Sequence, residues 1–431
     1  MSIHQDFLSR RTFIKALGYG TALAATTGYS GLLFAKTKAG SQAPVILRKS
    51  TELLQLNYNE NSLGMSSNAM QAANEAISKY GNRYAMDLYY DFLGTLAQYH
   101  DVSKEQLLIG NGSTEILSAV VTYAASQGAV VIEPEPTFGA LREYSKNHNM
   151  PVIGVPVNEG FEIDLNLMRE AASKQSGAVL INLCNPNNPT GSIVKTAMLV
   201  DWINHAPDNH IFLIDEAYYD YAAGANHAAN GGFAGGANYA GGAYVRGDFA
   251  GGAEYAAGAD EPNGAEHYDS MLTMIKAGKD NVIVSRTFSK IYGMAGLRMG
   301  YGLATEKTAS LIKPFAAGFN INVAGIAAAS ASLADTDYYA KSLATIAESK
   351  AILLATLDEL SLDYVPSHAN FILHRIGRPI SEYATNMRYN NIKVGRKMTK
   401  SDDWNRLSLG TPAQMREFTK TLKAFRQQGM V

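Results

Sequence analysis

A single cysteine, Cys184, stands in 431 residues, so the chain can close no disulfide of its own. It lies at the end of an apolar run and reads as a small buried residue. Long basic runs are also missing. Lysine and arginine number 37 against 39 acidic residues, a formal net charge of -2. That removes the electrostatic footprint of a nucleic-acid binder. Nine histidines are scattered without a His-x-x-x-His spacing, and no Cys-x-x-Cys can exist. A metal centre is therefore not expected. What the chain does have is apolar residues, 46% of the total. At this length that suffices for a large core and two domains.

The first residues read as a targeting segment. Ser9-Arg10-Arg11-Thr12-Phe13-Ile14-Lys15 matches the twin-arginine export pattern. The run from Ala16 to Ala35 is apolar but diluted by glycine and threonine. Residues 1–39 are assigned to this signal, with the twin-arginine export machinery as partner and the periplasm as destination. An uncleaved membrane anchor is the alternative, since the run is just long enough to span a bilayer. Residues 40–69 read as an extended N-terminal arm.

From Met70 to Ala304, apolar strands alternate with amphipathic helices. This is the pattern of an α/β protein whose mostly parallel sheet is covered on both faces. The expected strands are Leu107–Ile109, Val130–Glu133, Val152–Val157, Ala178–Leu183, Ile211–Asp215, Val282–Ser285 and Gly300–Ala304. Residues 70–306 form the expected large domain. Residues 307–431 read as a smaller C-terminal α+β domain, with strands at Asn370–Leu373, Ile392–Gly395 and Arg406–Ser408 and a closing helix from Ala413 to Gln427. One stretch does not fit. Residues 222–266 consist mainly of Ala, Gly, Asn and Tyr, too poor in large apolar side chains to offset glycine's backbone entropy. They read as a low-complexity surface insert; a lid or an adhesive loop is the functional alternative.

The most informative stretch is Ser285-Arg286-Thr287-Phe288-Ser289-Lys290-Ile291-Tyr292-Gly293-Met294-Ala295-Gly296-Leu297-Arg298. A lysine at a strand end forms a Schiff base readily when its amine is desolvated or near another cation. Two hydroxyls and a planar guanidinium, on Thr287, Ser289 and Arg298, make a phosphate receptor. Together they point to pyridoxal phosphate (PLP). Three further segments end or follow apolar runs: Gly110-Asn111-Gly112-Ser113-Thr114-Glu115, Asn185-Pro186-Asn187-Asn188-Pro189-Thr190-Gly191 and Asp215-Glu216-Ala217-Tyr218. With Asn59-Glu60-Asn61-Ser62-Leu63-Gly64 before them, their order and spacing resemble the class I/II aminotransferases of PLP fold type I, and within these the histidinol-phosphate type. The resemblance covers roughly residues 50 to 425, apart from the insert.

It implies a set of roles. Lys290 would carry the cofactor and move the substrate proton. Asp215, a buried carboxylate in need of a cation, would pair with the pyridine nitrogen. Asn188 and Tyr218 would bond the cofactor's phenolic oxygen, and Phe138 would stack on its ring where relatives usually have tyrosine. Gly112, Ser113 and Thr114 open a helix whose N–H groups favour an anion. With Thr287, Ser289 and Arg298 they would form the phosphate cup, completed by Tyr84 from a neighbouring subunit in a homodimer. Arg406 would clamp the substrate α-carboxylate, Asn370 would line the site, and Arg396 would read a second anionic group. The implied reaction is transfer of an amino group between an amino acid and a 2-oxo acid or related carbonyl. Decarboxylation on the same fold is the alternative, and a non-catalytic PLP-fold protein a more distant one.

Overall fold

The computed structural model describes residues 53–223, 268–317 and 320–431. The export signal, the start of the arm and nearly all of the insert lie outside the described residues. In chain order the strands are β1 (Leu54–Gln55), β2 (Leu107–Gly110), β3 (Val130–Glu135), β4 (Val152–Pro156), β5 (Val179–Cys184), β6 (His210–Asp215), β7 (Val282–Thr287), β8 (Gly300–Leu303), β9 (Tyr364–Val365), β10 (Phe371–Arg375), β11 (Ile392–Lys393) and β12 (Trp404–Ser408). The expected strands are all present, displaced by one or two residues at their ends.

Seven of them form the main sheet, ordered β2-β8-β7-β6-β5-β3-β4. Only β8 runs against the others. Every residue of β5 and β7 is buried, as a doubly covered parallel sheet requires. The pleat sends alternate side chains to opposite faces. Phe212 and Ile214 join one apolar cluster, while Leu213 joins the other with Leu180 and Ile283. The helix Ser113–Ser126 closes that second face through Ile116, Leu117, Val120 and Val121.

Two small sheets stand apart from the large one. β12, β10 and β9 are antiparallel, and β1 runs parallel to β11. The N–H of Leu54 donates to Asn391 O and that of Leu56 to Lys393 O, both at 2.8 Å. Ser408 N donates to Leu56 O at 3.1 Å. The arm is thereby threaded between β11 and β12, which carries Asn57–Asn61 to the mouth of the main sheet.

Two expected boundaries need correction. The arm ends before residue 69, because Ser66 caps the helix Ser67–Tyr80 by accepting from Ala69 N. The insert begins later than residue 222: Ala222 and Ala223 are buried and still helical, since alanine continues the helix that follows Tyr218 without losing side-chain entropy. Tyr268, just past the insert, is buried as well.

Candidate active site

The loops after β2, β5, β6 and β7 leave the same edge of the sheet, the carboxyl end of its parallel strands, where open α/β sheets place their ligands. Asp215 is the last residue of β6 and is 3% exposed. Its Oδ1 accepts from Ser285 Oγ at 2.9 Å, across the β6–β7 pair. Burial raises its carboxyl from 3.8 to about 6; the Ser285 hydroxyl, the Ala217 N–H and Lys290 oppose the rise. Among the described residues no ion pair reaches this carboxylate, and Lys290 is the cation whose charge acts on it.

Lys290 stands on the turn after β7, fixed by Gly293 N donating to Lys290 O at 3.0 Å. Its Nζ donates to Tyr58 O at 3.3 Å and Asn59 O at 3.2 Å. It also lies 5.4 Å from the centre of the Tyr218 ring. Burial first, then the Arg406 guanidinium, lowers the amine from 10.5 to about 8; Glu60 and Asp215 act against them. Such an amine is neutral in about a tenth of molecules at pH 7, which suits it to attack a carbonyl carbon.

Tyr218 Oη accepts from Asn59 Nδ2 at 3.0 Å and from Asn188 Nδ2 at 3.4 Å. Burial holds this phenol well above its ordinary range. Arg406 Nη1 donates to Asn188 Oδ1 at 2.6 Å and Nη2 to Asn57 O at 2.8 Å. Its Nε is buried without a partner, so the guanidinium retains an unused donor. Burial, followed by the charge of Arg396, lowers its pKa. Asn370 Nδ2 donates to Asn59 O at 3.1 Å, and its Oδ1 is a buried acceptor with no partner.

The third cluster surrounds Arg298, which has φ of 53°. Its Nη1 donates to Ser289 Oγ and its Nη2 to Thr114 Oγ1, both at 3.3 Å. Thr287 Oγ1 donates to Ser289 Oγ at 2.9 Å. Gly112, at φ 80°, caps the helix Ser113–Ser126 without a side chain of its own. A Cβ there would run into the Arg298 guanidinium. Guanidinium, hydroxyls and a bare helix N-terminus thus face one small space, as a phosphate dianion requires.

Three expected residues are not joined to this group. Tyr84 lies between two helices and is 87% exposed. Arg396 is exposed, though its charge reaches Arg406. Phe138 is half-buried and packs on both apolar clusters. Two contributors were not singled out from the sequence. Ser285 is the hydroxyl partner of Asp215. Asn59, known only as part of a motif, is the hub of the site. Besides the bonds above, its N–H donates to Ser408 Oγ at 2.7 Å and its Oδ1 accepts from the same hydroxyl at 2.9 Å. Its φ of 55°, a region asparagine tolerates better than most residues, turns both its carbonyl and its side chain inward.

A buried carboxylate at a strand end, a partly deprotonated lysine and an anion cup fit PLP at its pyridine, aldehyde and phosphate ends. With the sheet topology, they define a PLP-dependent enzyme of fold type I. The aminotransferase class I and II family model matches residues 51–422, and the chain belongs to that family. It is 32% identical over 379 residues to the histidinol-phosphate aminotransferase of Symbiobacterium thermophilum, covering 88% of this chain and 92% of that one. The corresponding enzyme of Moorella thermoacetica is 31% identical, with 86% and 85% covered. The crystal structure of histidinol-phosphate aminotransferase from Sinorhizobium meliloti in complex with pyridoxal-5'-phosphate superposes with a TM-score of 0.70 at 25% identity, covering 88% of this chain and 91% of that one. The protein is a PLP-dependent aminotransferase, acting on amino acid and oxo acid substrates.

Proposed function

We propose that this aminotransferase exchanges an amino group between an α-amino acid and a 2-oxo acid by using Lys290 and Arg406 as the two ends of one substrate gauge. One observation carries the reading. The Lys290 amine rests on the carbonyls of Tyr58 and Asn59, and the Arg406 guanidinium on that of Asn57. These anchors span at most about 7 Å of chain, close enough for one amino acid, whose α-carboxylate is bonded directly to the reacting Cα, to meet both side chains.

PLP, when bound, supplies the electron sink that makes the Cα–H bond acidic. The chain supplies the rest. Lys290 would bind the cofactor and, once freed, its amine would accept the proton from Cα. Asp215 would pair with the pyridine nitrogen and favour its protonated form. Asn188 and Tyr218 would bond the phenolic oxygen, Phe138 would cover the ring, and Gly112, Ser113, Thr114, Thr287, Ser289 and Arg298 would hold the phosphate. Arg406 orients the carboxylate through a bidentate pair, Asn370 lines the substrate side, and Arg396 reads a second anionic group. Tyr84, exposed in the single chain, completes the phosphate cup of a second copy in a homodimer. The Arg10-Arg11 signal sends the folded, loaded enzyme to the periplasm. Residues 70–306 serve as the large domain and 307–431 as the small one.

A panel of amino donors and 2-oxo acid acceptors tests the reading. Keto acid formed in step with new amino acid supports it. Carbon dioxide release without keto acid would instead assign the site to decarboxylation.

A further inference from the structure

Phe161 is an aromatic residue with φ of +63°, a costly conformation for a bulky side chain. The turn that holds it is closed by three bonds: Phe161 N to Asn158 O at 3.0 Å, Asn158 N to Glu162 O at 3.0 Å and Glu162 N to Asn158 Oδ1 at 2.9 Å. What this conformation brings about is visible at both ends of the residue. Its ring meets the Trp404 ring edge-on, with centroids 4.8 Å apart. Its carbonyl accepts from Ser192 Oγ at 3.1 Å.

Both contacts lead to Arg406. Trp404 opens β12 and is two residues before Arg406, opposite Arg375 and Leu373 of β10 in turn. Residues two apart on a strand project from the same face, so Trp404 shares the face on which Arg406 meets Asn188. On the other side, Ser192 closes the turn that carries Asn188. Asn187 N donates to Ser192 O at 2.9 Å, and the Ser192 and Thr190 hydroxyls are 2.7 Å apart. Asn188 Oδ1 is the acceptor of the 2.6 Å bond from Arg406. One strained residue thus braces both the strand that bears the guanidinium and the turn that holds it.

We infer that Phe161 and Trp404 are positioning residues, whose ring contact sets the pose of Arg406 toward the substrate α-carboxylate. The inference rests on the reading of Arg406 as the carboxylate clamp. The ring contact leads to Arg406 and not to the phosphate cup, and a variant that removes only a ring leaves the Phe161 carbonyl on Ser192 and with it the turn that carries Asn188.

The test uses full-length holoenzyme with L-glutamate and 4-aminobutyrate, which differ only in the α-carboxylate. Half-reaction kinetics are followed by cofactor absorbance. Phe161→Asn keeps a residue that tolerates the left-handed conformation but removes the ring, and Trp404→Ala removes its partner. Each should raise the KM for glutamate about three- to tenfold, the factor an aromatic pair is worth. The kcat, the 4-aminobutyrate constants and the PLP affinity should stay as in the wild type. The double variant should be no worse than either single one, and Phe161→Tyr and Trp404→Phe should restore wild-type values. If Trp404→Ala fails to fold, Phe161→Leu, which keeps apolar bulk without the aromatic edge, carries the same expectation. Arg406→Lys separates the two claims. If it collapses the preference for glutamate while the ring variants leave that preference intact, the positioning inference is overturned and the clamp stands. If the wild type or Arg406→Lys shows no dependence on the α-carboxylate, clamp and positioning fall together.

Discussion

Replacing Asp215 with asparagine should stabilise the cofactor-free protein while weakening its hold on PLP. Burial moves this carboxyl from 3.8 to about 6. The native state therefore binds the proton more tightly than the unfolded chain, and stability falls as pH rises from about 4 to about 6. Above that window the ionised group costs roughly 3 kcal/mol in the cofactor-free protein. Asp215→Asn removes the charge and keeps an oxygen for the Ser285 hydroxyl. It adds an amide N–H pair that must find an acceptor, at a cost of about 1–2 kcal/mol. The difference leaves the cofactor-free variant about 1–2 kcal/mol more stable than wild type at pH 8, and no more stable at pH 4. Urea unfolding of cofactor-free protein at both pH values measures this directly. Added PLP should then stabilise the wild type more than the variant, reversing the order by mass action. A variant less stable than wild type by the same amount at both pH values would refute the reasoning, because Asp215 would then be an ordinary hydrogen-bonded core group.

Other outcomes are expected of the site, the assembly and the export signal. Gly112→Ala should lower PLP affinity at least tenfold, since its φ of 80° disfavours any Cβ and the added methyl would displace Arg298; equilibrium binding monitored by absorbance checks it. Holoenzyme should behave as a dimer in light scattering, and Tyr84→Phe should weaken PLP binding without unfolding the chain; a fully active monomer would return Tyr84 to the surface. Changing Arg10 and Arg11 together to lysine should hold the protein in the cytoplasm although the charge is unchanged; undiminished periplasmic yield would point to another route.

Much of this site was legible in the sequence because its chemistry sits in contiguous segments at strand ends. Strands buried on both faces read as apolar runs, and the residues after them fall at one sheet edge by topology alone. Lys290, Asp215, Asn188 and the Gly112 helix start are of this kind. Asn59 is not. Its bonds to Ser408 and Tyr218 span 349 and 159 residues, and they exist only because the arm is threaded between β11 and β12. The pairing of Phe161 with Trp404 is hidden for the same reason, and nothing local marks a phenylalanine in a left-handed turn. The start of the insert falls two residues past its expected place because Ala222 and Ala223 match its composition yet continue a buried helix.

The central claim is that Lys290 carries the cofactor. Among the described residues a second lysine, Lys350, is also drawn down to about 8 by burial, and its Nζ donates to Ser367 O at 2.6 Å. Borohydride reduction of the yellow holoenzyme followed by peptide mapping tells the two apart. The adduct should lie on the peptide containing Lys290 and on no other. An adduct on Lys350, or on any other lysine, would contradict the account.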